Sequence, residues 1–484
     1  MGLMIPRRTA VKVSAVLGFM AALPLVLHFT IVWFARITPP AVTVLQCHPR
    51  SVTSVLRSCG RSYAFEHDGL LEVRLTGTPE QIGAAHSRLL YQDMLETQGV
   101  LYAELERQVP SRLARLVLFD LAQLRFRNVV RGMSAERIRE IAAGAQVFRP
   151  DPYSDIFPTF QRDVYLNALY DIALSFERSP LVGCTTFTLT GSAALPGHTL
   201  LARAFDFEVN DVYDRRKAVF LVEEEGKIPY ASVAWPGLVG VASGMNAEGV
   251  AVVVHGARAG ETRSDGEPVL HTLRRLLATA HDAEQALEVL GQRDPMVSHI
   301  VILADAAGRT LVVERVPGQA PYQYELPPKA AVTNHFVGPS ADDPKNQRVE
   351  ATTSTLDRWR RGQQLVGRLS RPATVEDAVR LLRDRRGVND AELPLGDRRA
   401  IDALIATHGV IMDTRERTLW VSVSPHLLGR FVAFDLVRLL DPQYEPADSA
   451  PPSRSIPEDP LLTSGQYERW RSLARPEKRT GTAD

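Results

Sequence analysis

Apolar and polar positions change their rhythm once along this chain. Up to about residue 180 the recurrence is mostly helical; beyond it, short alternating and continuous apolar runs dominate. In the first region Leu71-Glu72-Val73-Arg74-Leu75 alternates as a strand. Thr78-Pro79-Glu80-Gln81 then opens a helix, with Thr78 as N-cap, Pro79 in the first turn and Gln81 reaching back. Helical spacing continues through Leu101, Leu105, Leu113, Leu116, Leu121 and Leu124. Two further helices are predicted, one after Ser134 that ends near Gly144 and one over 160–174.

After Gly183 the pattern predicts strands at 185–189, 200–205, 218–222, 231–234 and 250–255, the last introduced by the turn 244–249. Helices return at 269–280 and 283–290, and a hairpin follows at 300–304 and 310–314. Residues 331–336 form one more strand end. Helices at 349–369 and 375–382 and a hairpin at 409–412 and 419–423 complete the pattern. Strands and helices arrive in blocks, which predicts an α+β layered fold rather than a doubly wound parallel sheet. No internal repeat is visible.

The N-terminus adds a membrane expectation. Arg7, Arg8 and Lys12 precede a largely apolar run, 13–35. That run exceeds the ~20 residues needed to cross a bilayer and the roughly 7–15 of a signal-peptide core. Trp33, Phe34 and Arg36 suit an interfacial anchor, so an uncleaved single-pass helix is favoured over a removed signal. The basic flank would stay inside, leaving the rest extracytoplasmic, that is periplasmic. The expected divisions are 1–36 (cytoplasmic end and anchor), 37–67 (linker), 68–183 (helical pro-segment), 184–440 (catalytic region) and 441–484 (disordered tail).

Charge and cysteine content narrow the function. Lys and Arg number 56 and Asp and Glu also 56, which gives no electrostatic case for a nucleic-acid partner. The three cysteines, Cys47, Cys59 and Cys184, fit neither a disulfide scaffold nor a zinc site, and no metal is expected. No phosphate-cradling glycine motif stands in a strand-to-helix context, so no cofactor is expected. In an exported chain Cys47 and Cys59 could close a short disulfide loop or remain thiols.

That leaves Cys184, at the start of the apolar run Cys184-Thr185-Thr186-Phe187 and directly after Gly183. A thiol needs a base to act as nucleophile at neutral pH. No downstream histidine sits in a papain-like setting. The other base is an α-amine, which requires the Gly183–Cys184 bond to be cut by the chain itself. Glycine before the cysteine permits the close approach such a self-attack demands.

Cys184-Thr185-Thr186-Phe187, with Gly197 through Asp206 behind it, resembles the pattern of the C45 peptidase-like N-terminal-nucleophile (Ntn) hydrolases. That family includes acyl-CoA:isopenicillin N acyltransferase, with choloylglycine hydrolases, acid ceramidase and N-acylethanolamine amidase as cousins. Gly244–Val250, Thr333-Asn334-His335 and the late pair 410–413 and 418–421 resemble further family motifs in the family's order. Upstream, 77–83 and 138–144 resemble the entry and last helix of its pro-segment.

The resemblance implies a four-layer αββα sandwich and an amidohydrolase or acyltransferase acting on a non-peptide linear amide through a thioester on Cys184. It implies Asp206 as holder of the new α-amine and Arg203 as the cation beside the thiol. Asn334 would be an oxyanion donor, with a backbone N–H near His255 and Gly256 as the second. Arg398, 64 positions after Asn334, would be a late site arginine, with Arg399 as substitute. The chain departs from the pattern at Ala204 and at Leu395-Gly396-Asp397-Arg398. Arg358 to Arg361, around Trp359, read as a solvated helix face or an anion clamp. Asn246 reads as a turn residue, and His255 and His335 as strand-end histidines. A small-molecule acyl amide, lipid-like given the anchor, is the expected substrate; oligomeric state is left open. The competing readings are a non-catalytic exported scaffold on the same fold and a papain-like protease.

Overall fold

Alternation along the strands sorts their side chains between two faces that are both apolar. Val219 and Leu221 point to one side of their strand, Ala218, Phe220 and Val222 to the other, and all five are buried. Such strands need cover on both faces, and the chain supplies it. The computed structural model describes residues 22–44, 48–176, 182–207, 210–446 and 453–474.

The larger sheet has eleven strands. Arg50–Ser51, Leu56–Cys59, Ser62–His67 and Leu70–Gly77 form one side of it. The sheet continues through Ala218–Glu224, Tyr230–Ala234, Ser243–Asn246, Ala251–Gly256, His299–Ala304, Thr310–Arg315 and Tyr322–Glu325. The smaller sheet has seven strands, in the order Lys329–Val332, Val182–Leu189, Leu200–Phe207, Ala406–Asp413, Thr418–Ser422, Phe431–Asp435 and Ser455–Ile456. Leu70–Gly77 runs parallel to Ala218–Glu224, so a strand before Cys184 is hydrogen-bonded into the same sheet as one after it.

Three apolar layers hold these sheets. Val219, Leu221 and Val253 of the larger sheet pack with Val410, Met412 and Val421 of the smaller one. The outer face of the larger sheet, with Phe220, Val252 and Val254, is covered by Ile82, Ile141 and Leu273 from three helices. These are Pro79–Leu89, Ala135–Val147 and Val269–Thr279. The outer face of the smaller sheet, with Phe187, Ala202 and Ile411, is covered by Val366 and Leu382 from Thr355–Gly367 and Val375–Leu382. The layers therefore run helix, sheet, sheet, helix, an α+β fold.

The cap predicted at Thr78 forms, and two more helices are capped. Thr78 and Gln81 make a reciprocal capping box, Ser134 accepts from the Arg137 amide, and Thr374 caps its helix together with Asp377. Several boundaries differ. Segment 37–67, expected as a linker, supplies three strands to the edge of the larger sheet. The run through Leu101 to Leu124 is broken at Val109-Pro110-Ser111 into helices Tyr91–Gln108 and Arg112–Phe126, because Pro110 lacks an N–H and Ser111 caps the next turn.

In the tail after 441, expected as disordered, residues 453–474 form a short strand and two helices. Ile456 pairs with Phe431, and Leu461 and Tyr467 bury against Leu404 and Leu428. Its proline and charge content hides a few apolar anchors that find a groove. Of the predicted membrane run, residues 13–21 lie outside the described residues, while 22–34 are helical. Among the described residues no helix is long and apolar enough to cross a membrane.

Candidate functional site

Antiparallel pairing of Val182–Leu189 with Leu200–Phe207 sets the site. The register places Gly183 opposite Asp206, Cys184 opposite Phe205 and Thr186 opposite Arg203. Asp206 thus lies across from the Gly183–Cys184 bond on the neighbouring strand, and Arg203 stands three residues before it, opposite Thr186.

Cys184 is fully buried and is a free thiol. Arg203 Nη2 lies 3.4 Å from its Sγ. The same guanidinium donates to the carbonyls of Val254 (2.6 Å) and Ala242 (2.9 Å) and to Ser243 Oγ, and it lies 4.2 Å from the centre of the Phe205 ring. Its charge is solvated by carbonyls, a hydroxyl and a ring, and no carboxylate bonds to it among the described residues. The thiol is the most acidic group it touches. Burial pushes the Cys184 thiol up, and the Arg203 guanidinium beside it pulls the other way.

Asp206 is 4 % exposed, and its Oδ1 makes no hydrogen bond among the described residues. A Cβ placed on Gly183 would sit 3.3 Å from Asp206 Cβ and 3.5 Å from its Oδ2. The carboxyl therefore lies against the residue whose bond would be cut, with an acceptor to spare. Burial raises it to about 7 against the lowering influence of Arg358 and then Arg398.

Asn334 follows the strand Lys329–Val332, which pairs with the nucleophile strand. Its Oδ1 accepts the Cys184 N–H at 2.7 Å, and its Nδ2 donates to the Gly256 carbonyl at 2.9 Å. The side chain expected as an oxyanion donor is thus in direct contact with the nucleophile's own amide. His255 is buried with both ring nitrogens engaged, Nδ1 toward the Thr333 carbonyl (3.0 Å) and Nε2 toward Thr186 Oγ1 (2.7 Å). The carbonyl requires the proton on Nδ1, so the Thr186 hydroxyl donates to Nε2. Burial and Arg203 hold this imidazole well below its ordinary pKa. It is a neutral tie between the nucleophile strand and the Asn334 strand.

One buried cation is absent from the sequence-level set of site residues. Arg358, on Thr355–Gly367, donates from Nη1 to the Cys184 carbonyl (2.5 Å) and Thr185 Oγ1 (2.9 Å), and from Nη2 to Asn334 Oδ1 (3.0 Å). The stretch that reads as a solvated face has Arg358 and Arg361 buried and only Arg360 exposed. Arg361 is bound by Asp384 and Asp390. Gly362 brings this helix close: a Cβ there would stand 2.6 Å from Ala331 Cβ. A glycine one turn beyond Arg358, marking close approach to a sheet, is the signal that could have singled Arg358 out. Arg398 is exposed but within electrostatic range of both Asp206 and Arg358. Arg399 is exposed and pairs with Asp397 at 2.6 Å.

Other sequence-level candidates have structural partners. Asn246 donates from Nδ2 to the Leu277 and Ala280 carbonyls and accepts from the Glu248 and Val250 amides, closing its turn. His335 contacts Thr333 and Thr355. Cys59 is disulfide-bonded, while Cys47 lies outside the described residues. No group of side chains suited to hold a metal occurs among the described residues.

Residues 194–424 match the family described as Acyl-coenzyme A:6-aminopenicillanic acid acyl-transferase. The match begins ten residues after Cys184 and includes Arg203, Asp206, Asn334, Arg358 and Arg398. An uncharacterized protein of Archaeoglobus fulgidus is 26 % identical over 181 residues, 36 % of this chain; the chain spans 30 % of that relative's length. Among solved structures, a Caenorhabditis elegans N-acylethanolamine-hydrolyzing acid amidase ortholog is 16 % identical, with TM-score 0.37, covering 48 % of this chain and 93 % of its own. A mutant of the conjugated bile acid hydrolase of Clostridium perfringens is 12 % identical, with TM-score 0.38, covering 56 % and 99 %. The penicillin V acylase of Agrobacterium tumefaciens is 13 % identical, with TM-score 0.34, covering 53 % and 87 %. The match over residues 194–424 is to the acyltransferase group that the motifs of this chain resemble.

Proposed function

We propose that the chain is a self-processing Ntn amidohydrolase or acyltransferase. It cuts its own Gly183–Cys184 bond and then cleaves a non-peptide linear amide through a thioester on Cys184. The observation that carries this reading is one buried thiol 3.4 Å from a guanidinium that no carboxylate bonds among the described residues, with Asp206 against the preceding glycine. A thiol that served only as core filler would not need a buried cation beside it.

In the first step Cys184 Sγ attacks the Gly183 carbonyl carbon. The C–N bond breaks, the thiol proton passes to the departing nitrogen, and Gly183 is left as a thioester on Sγ. Water hydrolyses that ester, giving a Gly183 carboxylate and a free Cys184 α-amine. Asp206, with its unused Oδ1, then holds the new ammonium, and the neutral amine serves as base for the thiol. In turnover Sγ takes the acyl group of the substrate amide as the amine leaves. Water or an acceptor amine or thiol releases it; hydrolase and acyltransferase share the first half-reaction. Asn334 Nδ2, freed from the Gly256 carbonyl, would donate to the tetrahedral oxyanion.

A histidine-based mechanism has little to draw on, because the rings of His255, His335 and His408 bond to groups other than the thiol. We further propose that residues 13–35 anchor the chain in a membrane with the catalytic region extracytoplasmic. The Cys59 disulfide suits an oxidising compartment. A lipid-like N-acyl amide is then the substrate class to screen first.

The test is a denaturing gel with N-terminal sequencing. Wild-type protein is expected as pieces of about 20 and about 33 kDa, in proportion to 183 and 301 of 484 residues and 53.5 kDa, the second beginning at Cys184. Cys184→Ala is expected as one intact band. A single uncut wild-type chain with full amidase turnover would overturn the reading.

A further inference from the structure

The helix Arg112–Phe126 is folded with its polarity reversed. Its inward side carries the buried Asp120 and Gln123 ahead of the core residue Phe126, while Leu113, Val117 and Leu121 are 68 %, 50 % and 59 % exposed, with Leu116 and Leu118 also outside. An amphipathic helix of a water-bathed domain turns its leucines inward.

The inward polar groups fasten this helix to the N-terminal stretch. Asp120 binds His28 Nδ1 at 2.9 Å. Gln123 Oε1 accepts from Gln161 Nε2 at 3.3 Å, and Gln161 also bonds the backbone of Ala35 and Ile37. Stretch 22–34 in turn exposes Leu25, Val26, Phe29, Trp33 and Phe34. Polar groups thus zip two helices together, and their apolar sides face out as one surface.

Arginines frame this surface. Arg112 precedes the leucine stripe and Arg125, Arg127 and Arg131 follow it, while Arg115 within it pairs with Glu106 and Arg107 with Glu104. The Arg127 guanidinium lies 5.1 Å from the centre of the Phe34 ring, at the end of stretch 22–34. Apolar residues between two basic ends suit a helix lying in the plane of an anionic membrane surface, with arginines at headgroup level.

We propose that helix Arg112–Phe126 is a second membrane-contact element. It lies in the headgroup–acyl boundary of an anionic bilayer beside stretch 22–34 and beds the catalytic region on the lipid. The proposal rests on the reading of 13–35 as a membrane anchor, since the two helices share one surface. A lipid occupant is favoured by the continuity with that apolar run and by the basic frame.

The test uses the full chain with Cys184→Ser, so that an introduced thiol alone is labelled with an environment-sensitive dye. Val117→Cys, Val26→Cys and, as control, the exposed Val437→Cys are reconstituted into phosphatidylcholine–phosphatidylglycerol vesicles carrying doxyl lipids. The Val117 probe is expected to be blue-shifted and to lose more than half its emission to a shallow doxyl group, less to a deep one, with the Val437 probe unquenched. A quenched Val26 probe with a water-bathed Val117 probe refutes the proposal and leaves the anchor standing. Neither probe quenched refutes both. A blue-shifted Val117 probe that doxyl lipids do not quench means that a second copy of the chain covers the helix, and also refutes the proposal.

Discussion

Arg358 is the most informative residue to remove, because it touches the nucleophile's carbonyl and the expected oxyanion donor with two arms of one guanidinium. Arg358→Ala leaves the Cys184 carbonyl, Thr185 Oγ1 and Asn334 Oδ1 each short of a buried donor. Charge-assisted hydrogen bonds contribute about 1.5–3 kcal/mol apiece, so the loss at the carbonyl and amide alone is about 3–6 kcal/mol before any water enters. Most of that is shared by the resting precursor and therefore shows as lost stability rather than lost rate. The share that affects rate is the aim of the Asn334 amide, equivalent to one oriented donor, or about 10²–10³ in self-cleavage. Asp206 also loses the first of the cations that lower it, so its carboxyl rises further above about 7 and holds the new ammonium less well. Arg358→Lys supplies one donor where two arms are needed and should recover stability more than rate. The assay is a gel time course of freshly refolded precursor, with circular dichroism melts of each variant. A folded Arg358→Ala protein that cuts itself at the wild-type rate would refute the role assigned to this guanidinium.

The Cys184 thiol is pushed up by burial, so self-cleavage should accelerate with rising pH by up to about tenfold per unit above neutrality; a flat profile would mean that thiol ionisation does not limit the step. Asp163 and Asp171 are raised by burial to about 7 and about 8. Each binds its proton more tightly folded than unfolded, so stability is fully present below about pH 4 and lost as pH climbs through these values. The melting temperature of Cys184→Ala should fall between pH 5 and 8, and adding Asp163→Asn should flatten that slope. His255→Ala should lower the melting temperature by the loss of its two ties, about 1–3 kcal/mol, yet leave self-cleavage within about tenfold of wild type; complete loss of cutting in folded protein would restore a histidine mechanism. Gly83→Ala drives a methyl into the Glu140 carbonyl oxygen where two helices cross, and should cost about 1–3 kcal/mol on urea unfolding.

What the sequence could and could not convey divides along physical lines. Local signals carried far: Thr78 announces a helix start through chemistry contained within four residues and caps as read, and the helix expected after Ser134 begins there. The strands that carry Cys184, Arg203 and Asp206 were legible from their apolar runs, but the placing of Arg203 and Asp206 beside the nucleophile came from the family resemblance, since residues 190–199 between the strands do not set a register. Arg358 was not legible in that way. Its 174-residue separation from Cys184 leaves only helix periodicity to judge it by, and a run of three arginines in four positions reads as solvent-facing until Gly362 is seen to seat the helix on Ala331. The leucines of Arg112–Phe126 misled in the opposite sense, since periodicity shows that a helix has two faces but not which one is turned inward.

The site also explains why such groups can be buried at all. A guanidinium held at 0 % exposure, with no carboxylate bonded to it among the described residues, is costly unless other dipoles replace its water. Arg203 meets that demand with the Val254 and Ala242 carbonyls and Ser243, groups in or next to strands whose positions the pairing of the larger sheet already fixes. The His408 ring stacks on Phe205 and bonds Ser243 at 3.0 Å, so the hydroxyl that receives Arg203 cannot turn away. A bonded carboxylate in place of these neutral dipoles would quench the field that the thiol feels. Ser243→Asp should therefore leave Arg203 better paired and the precursor more stable, yet slow its self-cleavage. Faster cutting in that variant would mean that the cation acts on some group other than the sulfur.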